Sequence, residues 1–242
     1  MCIRDSHLQG GVPLREVLAI DDPALTLMAF TDAAAGLAIG TRNGIVKRLK
    51  PEYLANRDSW EVISLAEGDG VIGAVQLTTG DDELVFVTSD AHLLHFSASL
   101  VRPQGRSGGG VAGIKLGVDA TAVFFGAVRD QDVAEVVTVS GSSSALPGTE
   151  SGAAKVTPLA VYPAKGRATG GVRCHRLLKG EDALFLAWVG EGPAMACASS
   201  GTPVDLPKPV DKRDGSGTPS AQTILAVSST ASALTAAPIM AD

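Results

Sequence analysis

Two phrases in the chain set an arginine inside a run of glycine. Gly105-Arg106-Ser107-Gly108-Gly109-Gly110-Val111 and Gly166-Arg167-Ala168-Thr169-Gly170-Gly171-Val172 share the pattern Gly-Arg-x-x-Gly-Gly-Val. Glycine loops leave backbone N–H groups exposed, and a guanidinium beside them adds charge, which is the chemistry of phosphate-like anions. Arg102 and Lys165 lie just before these phrases, and Lys47, Arg48 and Lys50 crowd the end of a β-rich run. These seven cations are the candidate binding residues. For each of them the alternative is an ordinary solvated surface charge.

Other chemistry finds less support. His92 and His95 are three residues apart, a spacing that on a strand puts them on opposite faces and prevents joint metal binding. Cys174 adjoins His175 without further ligands nearby, and Cys2, Cys174 and Cys197 are too scattered for a zinc site or a disulfide framework. A reducing, cytoplasmic setting is the default for such cysteine usage. Asp81, Asp82, Glu181 and Asp182 read as turn formers rather than an acid/base pair. No catalytic residue, cofactor site or metal site is assigned.

The composition constrains what can hold these residues. Across 242 residues, 45% are apolar but only 4% aromatic, so the core is built mainly from Val, Leu, Ile and Ala, with Trp60 and Trp188 packed in it or between repeats. Twenty-eight glycines suit an all-β chain with many tight turns. The net charge of −6 argues against a generic polyanion binder, so only a local basic stripe can support one. No run of eighteen apolar residues is present. Residues 1–6 read as a non-native leader joined to an N-terminally truncated repeat array.

The glycine phrases recur with the chain's larger period. Val111 and Val172 are 61 residues apart, with degenerate copies at Gly10-Gly11-Val12 and Trp60-Glu61-Val62. Each copy leads into a predicted strand, such as Ile63–Leu65, Ile114–Leu116 or His175–Leu177, and then an acidic turn. Between the phrases lie hairpins. Leu37–Thr41 and Ile45–Arg48 flank Arg42-Asn43-Gly44, where Asn-Gly is a strong turn signal. Glu83–Thr88 pairs with Leu93–Phe96, Val136–Val139 with Val156–Leu159, and Ala194–Ala198 with Pro203–Leu206. The Ser/Gly/Ala-rich stretch from Ser142 to Lys155 reads as a loop insertion. Four strands per period of about 50 residues is the grammar of propeller blades. The expected fold is therefore an all-β, propeller-like partial ring of four-stranded blades over residues 7–215, about three complete and two partial. Ile224–Val227 could form one closing strand, and the rest of 216–242 reads as a disordered tail. A β-sandwich is the competing architecture.

Gly40–Arg48, Asp81–Ser89 and Arg102–Leu116 resemble the C-terminal repeats of DNA gyrase A and of its topoisomerase IV counterpart, over roughly residues 9–215. The resemblance implies a β-pinwheel that binds and bends duplex DNA around its rim. It also implies partnership with the rest of an A subunit, and with an ATPase B subunit, while ATP and Mg²⁺ are used elsewhere in the parent enzyme. The Gln-Arg-Arg-Gly-Gly-Lys-Gly box of gyrase has no intact copy here, and neither Tyr53 nor Tyr162 sits in a context like the catalytic tyrosine motif. A protein-interaction propeller that binds no DNA is the alternative.

Overall fold

The computed structural model describes residues 35–50, 60–145 and 151–229. The leader at 1–6, the Gly10–Val12 copy, Tyr53 and residues 230–242 lie outside the described residues. The strands in chain order are β1 (Leu37–Thr41), β2 (Ile45–Leu49), β3 (Val71–Gln76), β4 (Glu83–Thr88), β5 (His92–Ser97), β6 (Val111–Ala112), β7 (Ala122–Val128) and β8 (Ala134–Gly141). They continue with β9 (Ala153–Pro158), β10 (Val172–Arg173), β11 (Ala183–Glu191), β12 (Ala194–Cys197), β13 (Pro203–Val204), β14 (Thr218–Pro219) and β15 (Ala226–Ser229). Among the described residues no helix is long and apolar enough to cross a membrane.

The hairpins form where the turn chemistry places them. Gly44 closes β1–β2 with φ 76°, a left-handed conformation cheap only for glycine, while Ala91 takes the same role in β4–β5 at φ 62°. The Ser142–Lys155 insertion falls largely in the β8–β9 connection, with residues 146–150 outside the described set.

Each hairpin is the middle of an antiparallel sheet. The strand orders are β3-β1-β2-β6 in blade I, β7-β4-β5-β10 in blade II, β11-β8-β9-β14 in blade III and β15-β12-β13 in blade IV. The inner strands β3, β7, β11 and β15 pack on one another in succession. The outer strands are exchanged. β6 follows the hairpin of blade II in the chain but pairs with β2 of blade I, matching Val46 with Val111. In the same way β10 returns to β5, matching Leu93 with Val172, and β14 returns to β9, matching Ala154 with Thr218. Every complete blade is thus finished by chain that has already built the next blade's hairpin.

Three expectations are revised. The segments 63–65, 114–116 and 175–177 are not strands; after β6 and β10 the chain crosses over to the inner strands β7 and β11, and 63–65 lies in the stretch that leads to β3. For 114–116 the reason is local: the Gly113 and Ile114 N–H groups both donate to the Gly44 carbonyl, so the backbone wraps the hairpin turn instead of extending, and the Cys174 N–H likewise donates to the Ala91 carbonyl at the turn of β4–β5. Residues 218–219 and 226–229, expected largely in a disordered tail, are β14 and β15, and the closing strand that Ile224–Val227 suggested runs slightly later and pairs with β12.

Alternation within the central strands divides the core. In β4, Leu84 and Phe86 face a cluster with Ala38, Val46 and Phe125 between blades I and II, while Val85 and Val87 face Val136, Leu184 and Val189 between blades II and III. Both faces of the strand are buried, which explains its unbroken apolar run. Phe125 of β7 enters a notch made by the register pair Gly40 and Gly73. A Cβ on Gly40 would lie 2.1 Å from the Phe125 ring, and one on Gly73 would lie 2.3 Å from the Phe125 carbonyl oxygen.

Candidate nucleic-acid interface

Each outer strand is preceded by a loop that runs from the end of one blade's hairpin to the outer edge of the blade before it. Loop 1 (residues 98–110) links blade II to blade I, loop 2 (159–171) links III to II, and loop 3 (205–217) links IV to III. Loops 1 and 2 start with matching 3-10 turns, Ala98–Leu100 and Leu159–Val161. The glycine closing loop 2, Gly171, has φ 69°, and a Cβ there would sit 2.3 Å from the Leu93 carbonyl oxygen. Close approach to the hairpin strand and a left-handed backbone together account for the end of the Gly-Gly-Val phrase.

Arg106 and Arg167 stand at equivalent places, five residues before Val111 and Val172. The same count back from Thr218 gives Arg213. Lys212-Arg213-Asp214-Gly215-Ser216-Gly217-Thr218 is therefore a third copy of the phrase, missed in the sequence because Asp214 and Ser216 break the glycine run. Arg213 is exposed, as are Arg102, Lys50 and Lys165, and Arg106 and Arg167 are half-buried.

Lys47 does not match the expectation of a surface cation. It is 0% exposed, and its Nζ donates to the carbonyls of Val62 (2.7 Å), Arg106 (2.6 Å) and Gly108 (2.6 Å). An ammonium whose three protons are all committed inside the protein has none left for a phosphate. Arg48 is half-buried, and its guanidinium reaches the carbonyls of Gly80, Ala98 and Ala35 at 3.3–3.5 Å. Lys165 Nζ donates to the Gly171 carbonyl at 3.2 Å. Arg167 Nη1 donates to the Ala112 carbonyl on the outer strand of blade I, and the Ala168 N–H donates to Gly113 at 2.6 Å.

His95 fastens loop 2 from below. Its Nδ1 is 2.9 Å from Glu83 Oε2 and its Nε2 is 3.0 Å from the Tyr162 carbonyl, both of them acceptors. Burial opposes a charge here, but the bonds to Glu83 and to the Tyr162 carbonyl, with the Glu83 charge, prevail and raise its pKa. In loop 3 the Gly217 N–H donates to His175 Nε2 at 3.0 Å, so this ring accepts and stays neutral. Burial, with help from the Lys155 charge, lowers the His175 pKa to about 4.

Loops 1 and 2 are locally cationic. They carry Arg102, Arg106, Lys165 and Arg167 and no acidic residue. Acidic groups stand at both ends of the blades: Asp69 accepts from the Asn43 N–H and Asp182 from the Ser143 N–H beside hairpin turns, while Glu83 and Glu135 lie opposite Ser97 and Pro158, at the ends from which loops 1 and 2 start. A net charge of −6 is thus compatible with a cationic outer edge. Loop 3 is balanced, with Lys208, Lys212 and Arg213 against Asp205, Asp211 and Asp214.

The chain is similar to known proteins in both sequence and fold. The family model described as DNA gyrase C-terminal domain, beta-propeller, matches residues 82–128 and 148–185. The A subunit of DNA gyrase from Staphylococcus epidermidis is 29% identical over 210 residues, covering 83% of this chain and 22% of that protein. The A subunit of DNA gyrase from Escherichia coli K12 is 32% identical over 168 residues, covering 67% of this chain and 18% of that protein. The chain therefore spans about a fifth of the length of these relatives. Among solved structures, the C-terminal domain of DNA topoisomerase IV superposes with a TM-score of 0.70 at 22% identity, covering 90% of this chain and 70% of that one. The DNA gyrase A C-terminal domain superposes with a TM-score of 0.58 at 17% identity, covering 79% of this chain and 64% of that one. These two likenesses establish the fold, and with the matched sequence the chain belongs to the DNA gyrase C-terminal β-propeller family, in the β-pinwheel form.

Proposed function

We propose that the chain binds and bends duplex DNA along the outer edges of its blades, as the C-terminal region of a type IIA topoisomerase A subunit in the cytoplasm. Its partners in this reading are the ATPase B subunit together with the remainder of the A subunit, where the ATP- and Mg²⁺-dependent steps take place. One observation carries the reading: loops free of acidic residues recur on successive blades with an arginine at the same position, Arg106 and Arg167. Contacts of this kind engage the phosphate backbone and leave site preference to the shape and deformability of the duplex.

The test is duplex binding by the chain and by the double variant Arg106→Ala, Arg167→Ala over a range of salt. Losing two phosphate contacts should flatten the slope of log affinity against log salt by about two. An unchanged slope in a folded variant would reject this edge as the interface. The balanced loop 3 and the net charge of −6 favour a second reading, a protein-contact propeller. A folded chain that binds no duplex even at low salt would support that one.

A further inference from the structure

Beneath loops 1 and 3 lies the same device. Lys47 and Lys155 each stand three residues after the left-handed glycine of a hairpin, Gly44 and Gly152. Both are buried, 0% and 2% exposed, and among the described residues neither makes an ion pair. Lys47 Nζ holds the carbonyls of Val62, Arg106 and Gly108, and Lys155 Nζ holds those of Cys174, Arg213 and Gly215. The two sets correspond: one carbonyl from the crossover, one from the loop arginine itself and one from the glycine two residues later.

We propose that Lys47 and Lys155 are positioning residues for anion recognition, holding the main chain of Arg106 and Arg213 so that loops 1 and 3 present their positive side to a phosphate backbone. The proposal rests on the DNA-binding reading. An ammonium that draws the loop carbonyls inward leaves the guanidinium and the N–H ends of the peptide dipoles outward. It also sets a positive charge in low-dielectric surroundings directly below the loop, where it adds to the surface potential.

The fold does not require a cation at this place. In blade II the corresponding residue is Leu94, buried in the core, and loop 2 is held instead by His95, by Arg167 Nη1 and by the Ala168 N–H. Burying an unpaired ammonium is costly for stability, and a well-packed apolar residue serves the core as well. Twice this chain keeps the lysine, and both times its partners include the carbonyl of a loop arginine.

The test uses Lys47→Met and Lys155→Met in the full chain, after their folding has been checked by circular dichroism. Without DNA, amide exchange should speed up at least tenfold in residues 105–110 for the first variant and 212–217 for the second, with 166–171 unchanged. Each variant should also lower the salt slope of duplex binding by about one. A folded variant with wild-type exchange and wild-type slope would overturn the proposal. If the unmodified chain binds no duplex at low salt, the DNA reading itself falls and takes the proposal with it, an outcome distinct from equal binding by variant and wild type.

A measurement on the unmodified chain covers the case in which the variants fail to fold. Burial lowers the Lys155 pKa to about 8. The groups facing Lys155 and its surroundings are Cys174, pushed up to about 12 by burial, Tyr162, also raised, His175, lowered to about 4, and the charged Arg213, Asp214 and Glu181. Protection of residues 212–217, corrected for intrinsic exchange, should therefore drop between pH 7 and 9 while that of residues 124–127 in the inner strand β7 holds. Constant protection of 212–217 across that range would overturn the role of Lys155.

Discussion

His95 and His175 occupy the same fold and face opposite electrostatic demands. His95 lies between two acceptors, Glu83 and the Tyr162 carbonyl, and both ring nitrogens must carry protons to satisfy them. His175 receives the Gly217 N–H on Nε2, with Nδ1 2.9 Å from the Thr138 hydroxyl, and must be neutral. The linkage signs follow. A raised folded pKa at His95 gives stability that is present below the ordinary histidine value and lost as pH climbs through the folded one. A folded pKa lowered to about 4 at His175 gives stability present above the ordinary value and lost as pH falls toward 4. Urea midpoints measured against pH should show His95→Gln removing a loss on the alkaline side and His175→Gln removing one on the acid side. Identical pH profiles for the wild type and both variants would contradict these protonation states. At this scale the sequence is partly legible. Arg106 and Arg167 could be found because glycine marks their surroundings, and Arg213 could not because Asp214 and Ser216 disguise its copy. Lys47 misleads because a lysine beside Arg48 at a strand end has the look of surface charge; only the convergence of Val62, Arg106 and Gly108 carbonyls, distant in sequence, shows it to be interior.

Among the elements, the hairpins declare themselves and the outer strands do not. Asn43-Gly44 fixes a turn from adjacent residues alone, whereas β6, β10 and β14 are two residues long, too short for any periodic signal. Their partners lie 60 or more residues back in the chain, as with Val46 and Val111 or Val172 and Leu93. The blade contacts share this dependence on distant residues. Phe125 fits against blade I only because Gly40 and Gly73 both lack side chains where the ring and its backbone pass. Gly40→Ala should therefore destabilise the chain by about 1–3 kcal/mol through overpacking, since the obstacle is a buried ring 3% exposed that has no room to retreat. Chemical denaturation measures the effect, and a neutral substitution would mean that the blades slide apart freely at this seam.

At the scale of the whole molecule, loops 1 and 2 hold arginine and lysine without an acidic residue while the acids are spread over hairpin turns and strand ends, so the total charge is a poor guide to what those two loops attract. The C-terminal stretch is equally deceptive in bulk composition. Ending the chain after Gly215 would remove β14 from the outer edge of blade III and β15 from blade IV, along with buried Ile224. The shortened chain should have a lower urea midpoint than the full one and a greater tendency to aggregate through the bared edges of β9 and β12; equal midpoints would restore the tail interpretation. The exchange of outer strands also sets a schedule for biosynthesis. As the polypeptide leaves the ribosome, the hairpin at 37–49 cannot acquire its fourth strand until residue 112 has emerged, by which time the hairpin at 83–97 is already out and is itself waiting for residue 173. Assembly therefore trails synthesis by one blade throughout, and the nascent chain always carries one unfinished sheet with an open edge.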